Sequence, residues 1–168
     1  MAGKKNKPDD DGSGRALMIG LAGAILVIGG YAAFALYGEG VPSPEEQAQA
    51  EVRMAAKGKQ IYADNCASCH GDKLQGEAVD WKQKKPDGTL FAPPHDATGH
   101  TWHHPDGILF KITKNGGQAA APPGFKSNMP PFGEILSDDE IRAVLTFIKQ
   151  SWPPEIRERQ TRMSQQAG

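Results

Sequence analysis

The strongest constraint on this chain is the pentapeptide Cys66-Ala67-Ser68-Cys69-His70. It contains both cysteines of the 168-residue sequence, and two residues separate them. A structural zinc site would need a second ligand pair at suitable spacing, and no further cysteine exists to form one. A thioredoxin-type redox pair would need a strand–helix–strand context, which the surrounding sequence lacks. Neither use explains the pair.

The histidine directly after the second cysteine indicates a third use. Cys-x-x-Cys-His is the spacing at which haem c is covalently attached to a protein. Thioether bonds from Cys66 and Cys69 would fix the porphyrin edge, and His70 would turn under the ring to bind the iron. The motif therefore predicts one covalent haem c. Such a group would also help to fold a small, loop-rich domain that buries little apolar surface of its own.

The charge distribution argues against nucleic-acid binding. The formal net charge is −1, and no strongly basic stripe occurs. The 20 glycines and 13 prolines favour a small domain with long loops over a large enzyme.

An uncharged segment precedes this domain. Residues 16–37 (ALMIGLAGAILVIGGYAAFALY) would form a helix of about 33 Å, enough to cross a bilayer core of roughly 30 Å. Tyr31 and Tyr37 lie towards its end, where aromatic side chains favour the membrane interface. The segment is predicted to be a transmembrane helix.

The charges flanking this segment predict its orientation. Lys4, Lys5, Lys7 and Arg15 precede it, whereas residues 38–52 contain no Lys or Arg. The positive-inside rule places residues 1–15 in the cytoplasm and the rest in the periplasm, at the inner membrane of a bacterium. A cleaved signal peptide is the alternative, because Ala33-Phe34-Ala35 has the form of a cleavage site. The uncharged run is longer than a usual signal core, which favours an uncleaved anchor.

The remaining chain divides into a linker, 38–50, a haem domain, 51–155, and a polar tail without expected order, 156–168. Gly and Pro interrupt residues 38–44, but a helix is predicted from Glu45 to near Cys66. The flexible connection is therefore short, about 25 Å at most, and would keep the domain close to the membrane.

Two further helices are predicted in the domain. One covers 105–114, with Ile108, Leu109 and Ile112 facing inward. The other begins at a capping box formed by Ser137 and Glu140. Its apolar face consists of Ile141, Val144, Leu145 and Ile148, and Trp152-Pro153-Pro154 ends it.

Together these elements resemble a class I cytochrome c. The shared features are a helix leading into Cys-x-x-Cys-His, the loop Ala92-Pro93-Pro94, the segment Met129-Pro130-Pro131-Phe132 and the last helix. The resemblance covers about 51–153 and implies an all-α fold of three to four helices around a covalent haem.

The resemblance also implies roles for individual residues. Cys66 and Cys69 would bind the haem covalently, His70 would be the proximal iron ligand and Met129 the distal one. A backbone carbonyl, that of Pro93 or alternatively Pro94, would accept a hydrogen bond from His70. The first and last helices would cross where Gly58 and Tyr62 meet Phe147.

Four histidines depart from this pattern. His95, His100, His103 and His104 lie beside Trp102 within ten residues. They are interpreted as loop histidines bonded to backbone or to a haem propionate. A copper site is the alternative, as is His100 or His103 replacing Met129 at the iron.

The sequence therefore predicts an electron carrier, not an enzyme, without a small-molecule substrate. Its expected partners are respiratory or photosynthetic membrane complexes: a quinol-oxidising complex as donor, and a terminal oxidase or reaction centre as acceptor. Lys82, Lys84 and Lys85 could steer such an encounter or form a solvated loop. A haem enzyme or gas-binding protein with an open distal site is the alternative, as is a copper-handling protein.

Overall fold

The computed structural model describes residues 42–167, and every regular element in that range is helical. The five α-helices are α1 Pro44–Asn65, α2 Ala67–His70, α3 Asp106–Asn115, α4 Asp138–Gln150 and α5 Pro154–Gln166. Short 3₁₀ turns cover Thr101–His103 and Gly117–Ala120. The described residues contain no strand, only an isolated bridge between Lys84 and Leu90. The all-α prediction is confirmed.

Helix α1 begins and ends where the sequence predicts. Glu45 and Glu46 occupy its first turn, where they favour the positive end of the helix dipole. At its end, the Asn65 side-chain amide donates to the carbonyl oxygen of Ile61 (3.0 Å). Residues 45–50, the second half of the predicted linker, are therefore helical.

The crossing of α1 with α4 organises the core. Gly58 allows the backbones to meet, because a Cβ at this position would collide with the carbonyl oxygen of Ala143. One turn further on, the rings of Tyr62 and Phe147 lie 5.4 Å apart between centroids. The predicted crossing at Gly58, Tyr62 and Phe147 is confirmed.

Helix α4 carries the predicted capping box. The Ser137 hydroxyl accepts from the backbone N–H of Glu140, and the Glu140 carboxylate accepts from that of Ser137 (3.0 Å). Ile141, Val144 and Ile148 are buried as predicted, and Leu145 is partly buried against them.

Helix α3 is present, but one of its predicted inward residues is not buried. Leu109 lies in the core and Ile112 is half-buried, whereas Ile108 is 40% exposed. The buried stripe of α3 follows Leu109 and Thr113, and Ile108 lies about 100° around the helix axis from Leu109. The inward prediction for Ile108 is wrong for this reason.

The expectation that residues 156–168 lack order is also wrong. Residues 154–166 form α5, with Pro154 at the start, where its fixed φ favours a helix. The side chain of Gln160 is fully buried, and its Nε2 donates to the carbonyl oxygen of His104 (3.1 Å). Helix α5 therefore belongs to the same compact unit as α1 to α4.

None of the helices within residues 42–167 combines the length and apolar character needed to span a bilayer. The predicted N-terminal tail, 1–15, and the predicted span, 16–37, lie outside the described residues.

Candidate functional site: the Cys-x-x-Cys-His helix and its supporting loop

The short helix α2 brings the motif side chains together. Hydrogen bonds from the His70 N–H to the Cys66 carbonyl (2.9 Å) and from the Gly71 N–H to the Ala67 carbonyl (2.8 Å) close one helical turn. Residues three and four apart share a helix face, so Cys66 lies on the same side as Cys69 and His70. Gly71 ends the turn with a φ of 81°, a conformation that disfavours other residues. Two thiols and an imidazole are thereby grouped on one short element.

The thiols are not arranged as a redox pair. Both cysteines are free, and Cys66 is partly buried against the core. Burial raises the pKa of the Cys66 thiol to about 11, with the nearby Cys69 as a smaller cause. A thioredoxin-type cysteine works through a lowered pKa, so this environment favours a covalent attachment point over thiol exchange.

His70 is buried and fixed in one tautomer. Its Nδ1 lies 2.8 Å from the carbonyl oxygen of Pro93, which can only accept, so Nδ1 carries the hydrogen. Burial lowers the pKa of His70, and the bond to Pro93 opposes this in part. The imidazole is therefore neutral, with the lone pair of Nε2 available to a metal. Of the two prolines considered, Pro93 makes this contact.

The loop carrying Pro93 is bonded closely to the end of the motif. The N–H of Gly76 donates to the His70 carbonyl (2.8 Å), and that of Glu77 donates to the Ala92 carbonyl (3.0 Å). Gly76 has a φ of 79°, and a Cβ there would press on the backbone nitrogen of Pro94. The close approach of these two backbones positions the Pro93 carbonyl at His70.

Met129 lies in a loop that α3 and the following turn support. The Gly117 N–H donates to the Met129 carbonyl (3.0 Å), and the Met129 N–H donates to the Ser127 hydroxyl (3.3 Å). The loop continues into Phe132, whose N–H donates to the Thr113 carbonyl (3.1 Å). The Met129 side chain is half-buried and packs against the same core cluster as Cys66. Hydrogen bonds to the backbone of Met129 therefore hold its thioether side chain at the surface of the core.

The four histidines form ring pairs. The His100 ring stacks on Trp81 with centroids 5.3 Å apart, and the His103 ring stacks on Trp102 at 3.7 Å. His104 meets His100 edge-on at 5.1 Å. Within residues 42–167 no three His, Cys, Asp or Glu side chains are placed to share a metal ion, so the copper alternative gains no support.

His95 behaves differently from the other three. Its ring stacks on that of His70, with centroids 3.9 Å apart and planes at 22°. From the sequence, His95 is interpreted only as one of four loop histidines, and its contact with His70 is not predicted. The sequence does contain one signal for this contact. His95 lies two residues after Pro93, and the carbonyl of Pro93 was expected to bond to His70.

Of the three lysines considered for steering, Lys85 is engaged within the protein. Its Nζ lies 2.7 Å from the Glu77 carboxylate, and this bond lowers the pKa of Glu77, as does the backbone N–H of Ala92. Lys82 lies 5.3 Å from the centre of the Trp81 ring. Lys82 and Lys84 are exposed, which fits a solvated loop.

The donor set fits a covalently bound haem. Two free thiols on one helical turn and a neutral imidazole with Nδ1 committed to a carbonyl are the groups that attach haem c, and the Met129 thioether is a group that can bind its iron. Cys66 and Cys69 would hold its edge, and His70 and Met129 would hold its iron.

Comparison with known proteins identifies one family match. The family model for cytochrome c matches residues 55–152, which include the motif, Pro93 and Met129. No solved structure matches the chain significantly.

Two curated proteins are similar over part of their length. A cbb3-type cytochrome c oxidase subunit CcoP from Azospirillum sp. (strain B510) is 28% identical over 99 residues, which is 59% of this chain and 29% of the relative. A thiosulfate dehydrogenase from Stutzerimonas stutzeri (strain A1501) is 47% identical over 47 residues, 28% of this chain and 13% of the relative. The chain thus spans less than a third of either relative. Because the family match covers more than half of it, the chain belongs to the cytochrome c family, which implies a covalent haem c at Cys66 and Cys69.

Proposed function

We propose that this protein transfers single electrons through one covalent haem c, whose iron His70 and Met129 would bind. The observation that carries the proposal is the hydrogen bond from His70 Nδ1 to the Pro93 carbonyl (2.8 Å), which prepares Nε2 as an iron ligand. When bound, haem c supplies an iron that gains and loses one electron. The chain holds its edge through Cys66 and Cys69.

The ligand set favours a carrier over an enzyme. If His70 and Met129 both bind the iron, no position there would remain for a substrate or gas. A thioether opposite imidazole raises the reduction potential, because sulfur favours ferrous iron. The names of the two relatives, an oxidase subunit and a dehydrogenase, associate this kind of domain with electron transfer.

We further propose that residues 16–37 anchor the protein in a bacterial inner membrane, with residues 1–15 in the cytoplasm and the haem domain in the periplasm. The absence of charge in 16–37 and the preceding basic residues support this placement. Because α1 begins at Pro44, a short segment, 38–43, would join it to the anchor. Such a protein works close to the membrane, as a subunit of a redox complex or docked beside one.

The proposed partners follow from this placement. A quinol-oxidising complex would be the donor, and a terminal oxidase or photosynthetic reaction centre the acceptor. The similarity to an oxidase subunit favours the oxidase among the acceptors. The exposed Lys82 and Lys84 would add at most weak electrostatic steering.

The ligand assignment is tested with Met129→Leu in protein matured in a cytochrome c-producing bacterium. Ferric haem bonded to methionine sulfur has a weak far-red charge-transfer band, which Met129→Leu should abolish while the ferrous protein gains carbon monoxide binding. Met54→Leu is the matched control, because Met54 is 41% exposed on α1 and should leave the spectrum unchanged. Carbon monoxide binding by the wild-type protein would contradict the closed iron and favour the gas-binding alternative.

The membrane proposal is tested by separating membrane and soluble fractions and by mild-detergent isolation of the full-length protein. The haem should remain with membranes after an alkaline wash, and a redox complex should co-purify. Haem in the soluble periplasmic fraction would contradict the anchor. A detergent-solubilised monomer would contradict the subunit role.

A further inference from the structure

We infer that His95 is a positioning residue that fixes the orientation of the His70 imidazole plane, and so of the proximal iron ligand. Its ring stacks on the His70 ring with centroids 3.9 Å apart and planes at 22°. The inference rests on the proposed function, because it takes His70 as the ligand.

His70 needs this second contact for a geometrical reason. The bond from Nδ1 to the Pro93 carbonyl holds one ring nitrogen, but a hydrogen bond tolerates a range of angles, so the ring can still rotate through a range about its Cβ–Cγ bond. A flat group against the ring face blocks this rotation. One hydrogen bond and one stacked ring therefore define the imidazole plane.

His95 is itself held firmly enough for this task. Its N–H donates to the Leu74 carbonyl (2.7 Å), and its carbonyl accepts from Nε1 of Trp152 (2.7 Å). Its side-chain Nδ1 lies 2.8 Å from the Thr101 hydroxyl. That hydroxyl donates onward to the Pro94 carbonyl (3.4 Å), so Nδ1 is the donor in the pair with Thr101.

The surroundings of His95 indicate that its side chain does more than fill space. Tyr62 meets the ring edge-on with centroids 6.3 Å apart, so the ring is enclosed on a second side. An enclosed imidazole requires a hydrogen-bond partner, whereas an aliphatic side chain would fill the same space without one. The bond to Thr101 instead sets the ring angle, and the ring lies nearly parallel to His70.

The orientation of an axial imidazole has a direct spectroscopic signature. In low-spin ferric haem the plane of the imidazole directs the unpaired electron among the iron orbitals. The spread of the four haem-methyl NMR shifts and the g-values of the ferric protein therefore report this plane. A residue that only stabilises the fold would leave both unchanged.

The test compares four variants of the full-length, haem-loaded protein. His95→Leu removes the flat face and should change the methyl shift spread and the g-values, with the methionine band retained. His95→Phe restores a flat ring without the bond to Thr101. Its methyl shift spread and g-values should be closer to those of the wild type than the values of His95→Leu are. Thr101→Val frees the His95 ring and should give a smaller change of the same kind. His103→Phe is the control, because His103 stacks on Trp102 and should leave the spectra unchanged.

The outcomes separate the inference from the proposed function. Wild-type spectra in His95→Leu and Thr101→Val, with the methionine band present, would overturn the positioning role alone. Wild-type protein without any sign of imidazole bound to iron would overturn the ligand set and the inference with it. Should His95→Leu fail to fold, Thr101→Val and His95→Phe still decide the matter.

Discussion

The phenol of Tyr62 donates a 2.9 Å hydrogen bond to the carbonyl oxygen of Gly71, the residue that follows His70. Tyr62 belongs to the crossing of α1 and α4, and Gly71 ends the helix that carries the motif. The bond therefore joins the crossing of α1 and α4 in the core to the site. Burial is also the main cause that raises the pKa of Tyr62 above its usual value, so the phenol remains a donor at physiological pH.

Tyr62→Phe should lower the free energy of unfolding by about 1 kcal/mol, the usual effect of losing one partly buried hydrogen bond. The ring contact with Phe147 survives in this variant. Tyr62→Leu loses that contact as well and should be less stable by roughly a further 1 to 2 kcal/mol. Urea unfolding measures both, and equal stabilities of the two variants would contradict the separate roles of hydroxyl and ring.

Gly58→Ala should destabilise the protein by about 1 to 3 kcal/mol, because the added methyl group would overlap the carbonyl oxygen of Ala143. Gly107→Ala is the matched control: Gly107 is also helical, but an added Cβ meets nothing within 4 Å. It should leave stability unchanged or raise it by up to about 1 kcal/mol, since alanine restricts the unfolded chain. A destabilisation of similar size in both variants would contradict the close helix crossing.

Gln160→Ala should destabilise the protein by roughly 1 to 3 kcal/mol, because a buried donor to the His104 carbonyl and to the Asp106 carboxylate (2.7 Å) is lost. Gln165→Ala changes the same residue type at an exposed position of α5 and should have an effect near zero. Faster proteolysis after residue 153 in Gln160→Ala alone would show that this side chain holds α5 in place. Identical unfolding curves for the two variants would contradict it.

Stability should fall as the pH is lowered below about 6.5, the usual pKa of an unfolded histidine. Burial lowers the pKa of His100 and of His104 in the native protein, and neighbouring histidine charges lower both further. The unfolded chain then binds more protons than the native one, so the free energy of unfolding decreases on acidification through this range.

The double variant His100→Gln/His104→Gln tests this origin of the pH dependence. Denaturation at about pH 7.5 and about pH 5.5 should show a smaller loss of stability in the variant than in the wild type. His70 is present in both proteins, so its contribution cancels; His95 is also present in both but loses in the variant the smaller effect that His100 has on its pKa. An equal loss of stability in the wild type and the variant would show that other groups cause the pH dependence.

Gly117→Ala should weaken the far-red methionine band, because an added Cβ would collide with the Ser127 hydroxyl that accepts from Met129. The movement of this segment would displace the thioether. The double variant Gly117→Ala/Ser127→Ala removes the colliding oxygen and should recover part of the band. A band unaffected by Gly117→Ala would contradict the support of Met129 by this turn.

The sequence predicts those features of the fold that depend on local chemistry. The capping box at Ser137 and the start of α1 follow from side chains that bond or favour the nearest backbone groups. The crossing at Gly58, by contrast, was implied by the resemblance to class I cytochromes c, whereas the capping box and the helix start are local patterns. Local patterns of this kind need no knowledge of the rest of the chain.

The features that the sequence did not predict correctly share a different cause. Helix α5 buries Gln160 one turn after Ile156, so a polar residue interrupts the apolar pattern of its packed face, although Pro154 is a helix-start signal. The exposure of Ile108 depends on which side of α3 meets α4, and the sequence of α3 alone does not contain that information. The stacking of His95 on His70 joins residues from two elements, and its geometry depends on the loop backbone between Leu74 and Thr101.

The packing of α5 on the loop that carries His104 has a consequence for where the folded unit ends. The shared family region ends at residue 152, before α5, while the loop that α5 covers lies inside it. A chain that kept the loop but lost α5 would leave the His104 carbonyl without its glutamine partner. The folded unit therefore extends past the family region, and a chain cut after residue 153 should lose order in the loop that carries His104 although it keeps every residue of that region.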